Sequence, residues 1–445
     1  MANTRRFFSL KQLLIINFSF LIFTSCSIQQ KISKSAKQVI NDSSLLTAHV
    51  GISIYDPATG KYWYNYQGDK YFVPASNTKL PTCYATMKYL GDSLVGFRWD
   101  LHDSTINILP SGDPSFLHPD FSSTKAIQLI KEYKNISLLS NGYFEDRLGS
   151  GWTWNDYQET YMAERSAFPM YGNLVKFYLQ DDRVKAMPST FEKMMSPSSS
   201  KSLKGMRVSR PMESNEFTIT QGEAKTVSMP FSTYEGSSPL WLPALQAKLL
   251  TDTLHIPASV GMYSGERPKG LKIFHSQPTD SLLKPMMHRS DNFFAEQSLL
   301  MVSNERLGIM NDEKIIDTLL KTDFKDLPQK PRWVDGSGLS RYNLFTPQDF
   351  VAILNKMKNE FGMERIKVIL PTGGTGTISN YYKADSNFIF GKTGTLSGVV
   401  AFSGFLYTKK GKLLIFSTLV NNHQASSTAV RRAVEKFIQG IREKY

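Results

Sequence analysis

The sequence predicts an α+β fold in which an antiparallel sheet flanked by helices is built from both ends of the chain. Three observations lead there. Near the front, a pair of period-two strands is followed directly by a helix. Near the back, a second strand pair is also followed by a helix. Between them, residues 98–275 are rich in Ser, Pro and short strand signals, without an internal repeat, as an insertion would be. The 445 residues, 41% hydrophobic and 12% aromatic, suffice for two or three domains with sizeable cores and exclude wholesale disorder.

The first 25 residues stand apart. Arg5, Arg6 and Lys11 precede an apolar run from Leu13 to Phe23, too short to span a bilayer comfortably. That pattern fits an export signal. The small residues Thr24 and Ser25 before Cys26 resemble a bacterial lipobox, so Cys26 is the expected lipidated first residue of the mature chain. The only other cysteine is Cys83, so a lipidated Cys26 leaves no intramolecular disulfide. Cys83 reads as a small buried apolar residue. Residues 26–44 are polar and read as a tether or a short first helix.

The front hairpin follows. Val50, Ile52 and Ile54 share one strand face, "DPATGK" turns the chain, and Tyr62 and Tyr64 alternate after it. A helix is expected from about Ser76 to Leu90. Pro81 is tolerable only near its first turn, and Gly91 stops it. At the back, "FIFGKTGTLSGVVAFSGFLYT" and "KLLIFSTLVNN" are strands joined by "KKGK". Val430, Val434, Phe437, Ile438 and Ile441 then form one helical stripe. The expected organisation is a discontinuous domain over 45–97 and 276–445, with mostly-β inserted domains over 98–275. A further subdomain is nested at about 172–228, and Met194–Gly205 forms a low-complexity loop.

The formal net charge is +13, and about +10 without the three positive charges of residues 1–25. The charge is spread thinly. No zinc-finger spacing, aromatic RNA-binding run or basic helix accompanies it, so a nucleic-acid partner is not expected.

The chemistry rests on three short elements in order. Ser76-Asn77-Thr78-Lys79 opens the first helix. Ser-x-x-Lys alone is weak: it recurs at Ser122/Lys125, Ser198/Lys201 and Ser281/Lys284, and a serine there can simply cap a helix. Ser290-Asp291-Asn292 and Lys392-Thr393-Gly394 are each the single instance of their pattern. Together the set S-x-x-K, S-D-N, K-T-G marks serine β-lactamases and penicillin-binding proteins. A serine hydroxyl needs a base to become a nucleophile. Lys79 lies on the same helical face as Ser76, and burial with nearby positive charge can lower its pKa enough for that work. Ser290 can pass a proton to a leaving amine, and can also cap the helix after it. Asn292 offers an amide to a substrate carbonyl or to Lys79. Lys392 and Thr393 can hold a carboxylate, Gly394 permits close approach of a ligand backbone, and the N–H groups of Thr395 and Ser76 can form an oxyanion hole.

Further segments extend the match. "SGDPSFL" at Ser111, "GSGWTWNDYQETYMAERSAF", "WVDGSGLSRYNLFTPQDF" at Trp333 and "LPTGGTGTI" resemble, in order, segments of the D-alanyl-D-alanine carboxypeptidases of the penicillin-binding protein type-4 family, the low-molecular-mass class C group. The resemblance covers nearly all of the mature chain and weakens across about 172–275. It implies an α/β/α sandwich of the serine β-lactamase/transpeptidase type. The gap of 214 positions from Ser76 to Ser290 would then hold one inserted domain with another nested inside it. It implies cleavage of D-Ala-D-Ala ends or D-amino-acid cross-links of peptidoglycan through an acyl-enzyme on Ser76. It also implies penicillins as covalent inhibitors and no metal or organic cofactor; with the lipobox-like ending at Cys26, the expected place is lipid-anchored in the bacterial envelope, facing the periplasm. Two other readings stay open: a catalytically idle peptidoglycan-binding lipoprotein, and a β-lactamase or esterase on the same core. Asp335, in the turn "DGSGLS", has no chemical role assigned, and His288 beside Ser290 reads as a packing or surface histidine.

Overall fold

A computed structural model describes residues 30–445 apart from 31, 38, 39, 44, 141–145, 182, 199–204, 223–225, 235–237 and 239. The expected export signal, Cys26 and half of the low-complexity stretch Met194–Gly205 lie outside the described residues. Residues 30, 32–37 and 40 are helical, and Ile32 and Ala36 are buried. The stretch read as a tether or short helix is therefore packed into the fold over that part.

Strands β1 (His49–Asp56) and β2 (Lys61–Tyr66) form the front hairpin. A 3₁₀ turn over Ala75–Thr78 leads into α1 (Lys79–Tyr89), and Gly91, at φ +67°, turns the chain away. Pro81 is the third residue of α1, where its missing N–H leaves no intrahelical partner unpaired. Every residue from Lys79 to Met87 is buried, so α1 runs through the middle of the core rather than along its surface.

The chain then enters the insertion through β3 (Ser93–His102), β4 (Thr105–Pro110), α2 (Thr124–Ile130) and β5 (Asn135–Ser140). Next come β6 (Leu174–Gln180), β7 (Arg183–Met187), β8 (Met195–Pro197), β9 (Arg207–Ser209), β10 (Phe217–Thr220) and β11 (Thr226–Pro230). It leaves through α3 (Trp241–Leu254), β12 (Ala258–Met262) and β13 (Lys272–Pro278). The last third supplies α4 (Thr279–His288), α5 (Asn292–Leu307), α6 (Asp312–Lys321), α7 (Pro347–Ile369), β14 (Ile389–Leu396), β15 (Val399–Tyr407), β16 (Leu413–Asn421) and α8 (Ser427–Lys444).

The two ends do complete one sheet. Its order is β14-β15-β16-β1-β2, antiparallel throughout, with His49 opposite Asn421 where front meets back. Both faces are covered. Val50, Ile52, Ile54, Phe402 and Phe416 pack against Val430, Val434, Phe437, Ile438 and Ile441 of α8. Ala401, Phe405, Ile415 and Leu419 face the other way, into a core shared with α1, α4, α5 and α7. Burial on both faces explains why β16 reads as a continuous apolar run. The architecture is the α/β/α sandwich.

The insertion has one feature the sequence reading does not address and one that differs from it. Its main sheet, ordered β12-β5-β4-β3-β13, contains parallel pairs β4–β5 and β5–β12. Parallel neighbours need crossovers, and α2 and α3 lie in those connections, so the main sheet of this unit is mixed. The pairing of β3 with β13 also brings residues 93–97 and 276–278, expected in the sandwich, into the inserted sheet. Two three-stranded sheets, β11-β6-β7 and β8-β10-β9, occupy 174–230. The Gly-Asp-Pro segment is structural: buried Asp113 accepts from Ser115 N–H (2.8 Å) and from the hydroxyls of Ser115 and Ser276, tying the end of β4 to β13.

Ile438 is fully buried between α8 and the sheet. Ile438→Ala is expected to destabilise the sandwich by about 2–5 kcal/mol, read as a lower midpoint in thermal or urea unfolding. An unchanged midpoint would mean that α8 contributes little to the core.

Candidate active site

Ser76 is set by its neighbours before any chemistry begins. Ala75 has φ +47°, a left-handed conformation that a non-glycine residue adopts at a cost of about 1–2 kcal/mol. Several contacts hold it there. Asn77 Nδ2 donates to Ser403 Oγ in β15 (2.7 Å), and Thr78 Oγ1 donates to the Ala75 carbonyl (2.9 Å). Gly394 of β14 passes so close that a Cβ there would lie 2.6 Å from the Pro74 carbonyl and 3.0 Å from Ser76 N. Glycine at 394 thus admits the close approach of the serine's own segment.

In a 3₁₀ turn the side chains at i and i+3 eclipse. Lys79 accordingly returns over Ser76, with Nζ 3.1 Å from Oγ. Nζ also donates to Asn292 Oδ1 (2.6 Å) and to the Ser337 carbonyl (2.8 Å). Lys79 is entirely buried, and burial pulls its pKa from 10.5 down to about 8, against the opposing pull of Asp335, Glu296 and Asp291. The expected partial burial is therefore complete, and carboxylates, not cations, are the charges that moderate it. The displacement corresponds to about 3 kcal/mol in favour of the neutral amine.

Two of those carboxylates, Glu296 and Asp335, belong to a buried lattice, of which the sequence motifs include only the turn residue Asp335. Glu296, on α5 four residues after Asn292, accepts from Ser337 N–H (2.7 Å). Its other oxygen lies 3.7 Å from Arg165, which also bonds Asp312 (2.5 Å). Burial and the nearby Asp335 raise the Glu296 carboxyl to about 7. Asp335 accepts from Gly338 N–H (2.8 Å), Ser340 N–H (2.7 Å), Asn343 Nδ2 (2.8 Å) and Trp152 Nε1 (2.9 Å). The turn "DGSGLS" is thus a fixed frame that presents one carbonyl to Lys79.

A second serine–lysine pair faces the first. Lys392, also fully buried, donates to Ser290 Oγ (2.8 Å) and to the Thr393 carbonyl (2.8 Å). Burial, with repulsion from Lys79 and Arg431, pushes its ammonium well below the ordinary range. Ser290 sits at φ +61° and does not cap α5: Asp291 does, accepting from Phe294 N–H (3.0 Å). Asn292 is engaged at both ends, since its Nδ2 donates to the Tyr161 carbonyl (2.9 Å).

A cleft of about 790 Å³ opens over these groups. Ser76, Ser290, Asn292, Thr393 and Thr395 line it together, while Lys79 and Lys392 lie beneath. The insertion supplies one wall through Trp152, Asp156 and Tyr161, and Arg341 and Arg431 supply cationic groups. His288 does not line the cleft, and burial lowers the pKa of its half-buried ring. Cys83 is buried in the core, as its composition suggested. The arrangement offers a hydroxyl beside a basic amine, a second hydroxyl beside another lysine, and donors along an edge strand. That is equipment for acyl transfer.

Comparison with known proteins agrees with this chemistry. A profile of the D-Ala-D-Ala carboxypeptidase 3 (S13) family matches residues 32–444, and the chain belongs to that family. It is 24% identical to a D-alanyl-D-alanine carboxypeptidase of Actinomadura sp. over 89% of this chain and 82% of that one. It is 23% identical to the penicillin-sensitive carboxypeptidase A of Dictyostelium discoideum over 96% of each chain. Among solved structures, penicillin binding protein 4 of Haemophilus influenzae superposes with a TM-score of 0.69 at 21% identity, covering 92% of this chain and 98% of that one. The likeness in fold includes the insertion.

The negative charge of Glu296 favours the ammonium form of Lys79. Glu296→Gln keeps an oxygen for Ser337 N–H and removes that charge, so the Lys79 pKa is expected to fall below its wild-type value of about 8. Nitrogen-detected NMR titration of the Lys79 amine reads the shift. An unchanged or raised value would contradict the electrostatic role given to Glu296.

Proposed function

We propose that this chain is a serine-type D-Ala-D-Ala carboxypeptidase and DD-endopeptidase of peptidoglycan, with Ser76 as nucleophile and Lys79 as its base. The observation that carries the reading is Lys79 itself, buried against Ser76 Oγ with a pKa of about 8 and bonded to Asn292 and Ser337.

The steps follow from the groups present. Lys79 takes the Ser76 proton as Oγ attacks the carbonyl carbon of the D-Ala amide. The N–H groups of Ser76 and Thr395 receive the negative charge that develops on the carbonyl oxygen. As the C–N bond breaks, Ser290 gives its proton to the departing amine; the proton that Lys79 took from Ser76 then restores the Ser290 hydroxyl, which leaves Lys79 a free amine again, while Lys392 holds Ser290 in place. Asn292 keeps the Lys79 lone pair aimed at Oγ, and Thr393 orients the leaving group. Water then attacks the ester on Ser76, with Lys79 again as base, and frees the enzyme. A penicillin enters by the first step, and the ester it leaves blocks the site. None of these steps calls for a metal or organic cofactor.

The place of work follows from the substrate, which lies outside the cytoplasm. Cys26 is proposed as the lipidated first residue, holding the enzyme to the membrane with its catalytic cleft in the periplasm. Among the described residues, no helix is long and apolar enough to cross a membrane.

Release of D-alanine from a peptide ending in D-Ala-D-Ala tests this directly. Activity is expected to climb about tenfold per pH unit until Lys79 is deprotonated near pH 8, because the ammonium cannot accept the serine proton. Ser76→Ala is expected to abolish release. Folded wild type that neither releases D-alanine from a free end nor splits a D-amino-acid cross-link, or undiminished release by Ser76→Ala, would overturn the reading.

A further inference from the structure

From sequence, Lys392 and Thr393 are expected to hold the substrate carboxylate. Lys392 is badly placed for that. Its side chain is wholly buried, and two of its three donors are engaged by Ser290 Oγ and the Thr393 carbonyl. Burial also weakens its charge. A carboxylate in the cleft needs a cation that remains charged and reaches open space.

Arg431, in the first half of α8, meets both needs. A guanidinium stays protonated under all ordinary conditions. Arg431 lines the cleft with Thr393, Thr395 and Ser290, and its Nη2 donates to Thr395 Oγ1. Thr393 Oγ1 in turn donates to Thr377 Oγ1 (2.7 Å), so hydroxyls run along the open edge of β14 toward the guanidinium. Among the described residues no carboxylate pairs with Arg431, and its buried Nε has no hydrogen-bond partner. The adjacent Arg432 is a contrast: it pairs with Glu435 (2.5 Å), although both arginines lie over the Tyr381 ring. Arg341, the other cleft arginine, donates to the Ser397 carbonyl, just past the end of β14 (2.9 Å).

We propose that Arg431 recognises the α-carboxylate of the leaving D-amino acid and holds it against the hydroxyls of Thr393 and Thr395. The proposal rests on the acyl-transfer reading above and names the group that selects its substrate. The stereochemical argument is short. The departing amine must lie against Ser290 Oγ to receive its proton. The α-carboxylate sits on the same carbon as that amine, so it falls beside Thr393 and Thr395, where Arg431 waits. Any D-amino acid leaving with a free carboxylate qualifies; one leaving as an amide does not.

The test compares two peptides that differ only in the last group, D-Ala-D-Ala as the free acid and as the carboxamide. Wild type is expected to favour the acid. Arg431→Gln is expected to lower kcat/KM on the acid about tenfold to hundredfold, the worth of a hydrogen bond to a charged group. The rate on the amide should fall far less, so that the preference for the acid is largely lost. Arg431→Lys restores part of it by keeping the charge, and Arg432→Gln leaves it intact. If Arg431→Gln keeps the wild-type preference, or slows both peptides equally, Arg431 is not the recognition residue. Wild type that cleaves neither peptide would instead refute the acyl-transfer reading, and the inference with it.

Discussion

Burial of one lysine organises this protein. Lys79 is cut off from water, and an ammonium there must be surrounded by acceptors or lose its proton. The acceptors come from three separate stretches: Ser76 on its own turn, Asn292 at the start of α5, and the Ser337 carbonyl in the loop after α6. Each stretch is therefore fixed relative to the others by a single nitrogen. The intermediate pKa is a balance between burial, which favours the amine, and the carboxylates of Asp335, Glu296 and Asp291, which favour the ammonium. A fully compensated lysine would be a spectator, and an uncompensated one would destabilise the core.

The insertion takes part in that balance. Trp152 bonds Asp335, the Tyr161 carbonyl accepts from Asn292, and Arg165 stands beside Glu296 and Asp312. Arg165 is itself held through the Asp146 carbonyl (2.9 Å). The segment from 146 to 165 thus braces the groups that surround Lys79, besides forming a wall of the cleft. A long insertion between the two halves of a catalytic sandwich would be expected to cost folding efficiency through its non-local contacts. Here those contacts lead to the reacting groups.

Much of this was legible in the sequence, for identifiable reasons. The sheet spanning both ends could be read because its front strands alternate, its back strands are strand-like runs joined by a turn, and α8 carries a clean apolar stripe. The Ser76, Ser290 and Lys392 elements could be read because each packs its chemistry into three or four consecutive residues. Other features depend on tertiary pairing that no local pattern encodes. Glu296 and Arg431 are single residues on ordinary helices, and only the folded chain brings one toward Lys79 and the other to the cleft. Asp335 looked like a turn former, and it is one, but the turn is what presents a carbonyl to the lysine. The mixed sheet of the insertion was missed because α3 was not recognised as a crossover. Ser290 was given a capping role that Asp291 performs, a one-residue error of the kind helix ends invite.

The central claim is that Ser76, and no other serine, is acylated because Lys79 is poised beside it. Intact-mass analysis of the folded protein after exposure to a penicillin, followed by peptide mapping, tests it most directly. The account predicts one adduct per chain, located on Ser76, and its loss in a folded Lys79→Ala variant. An adduct on another residue, no adduct at all, or undiminished acylation without Lys79 would contradict it.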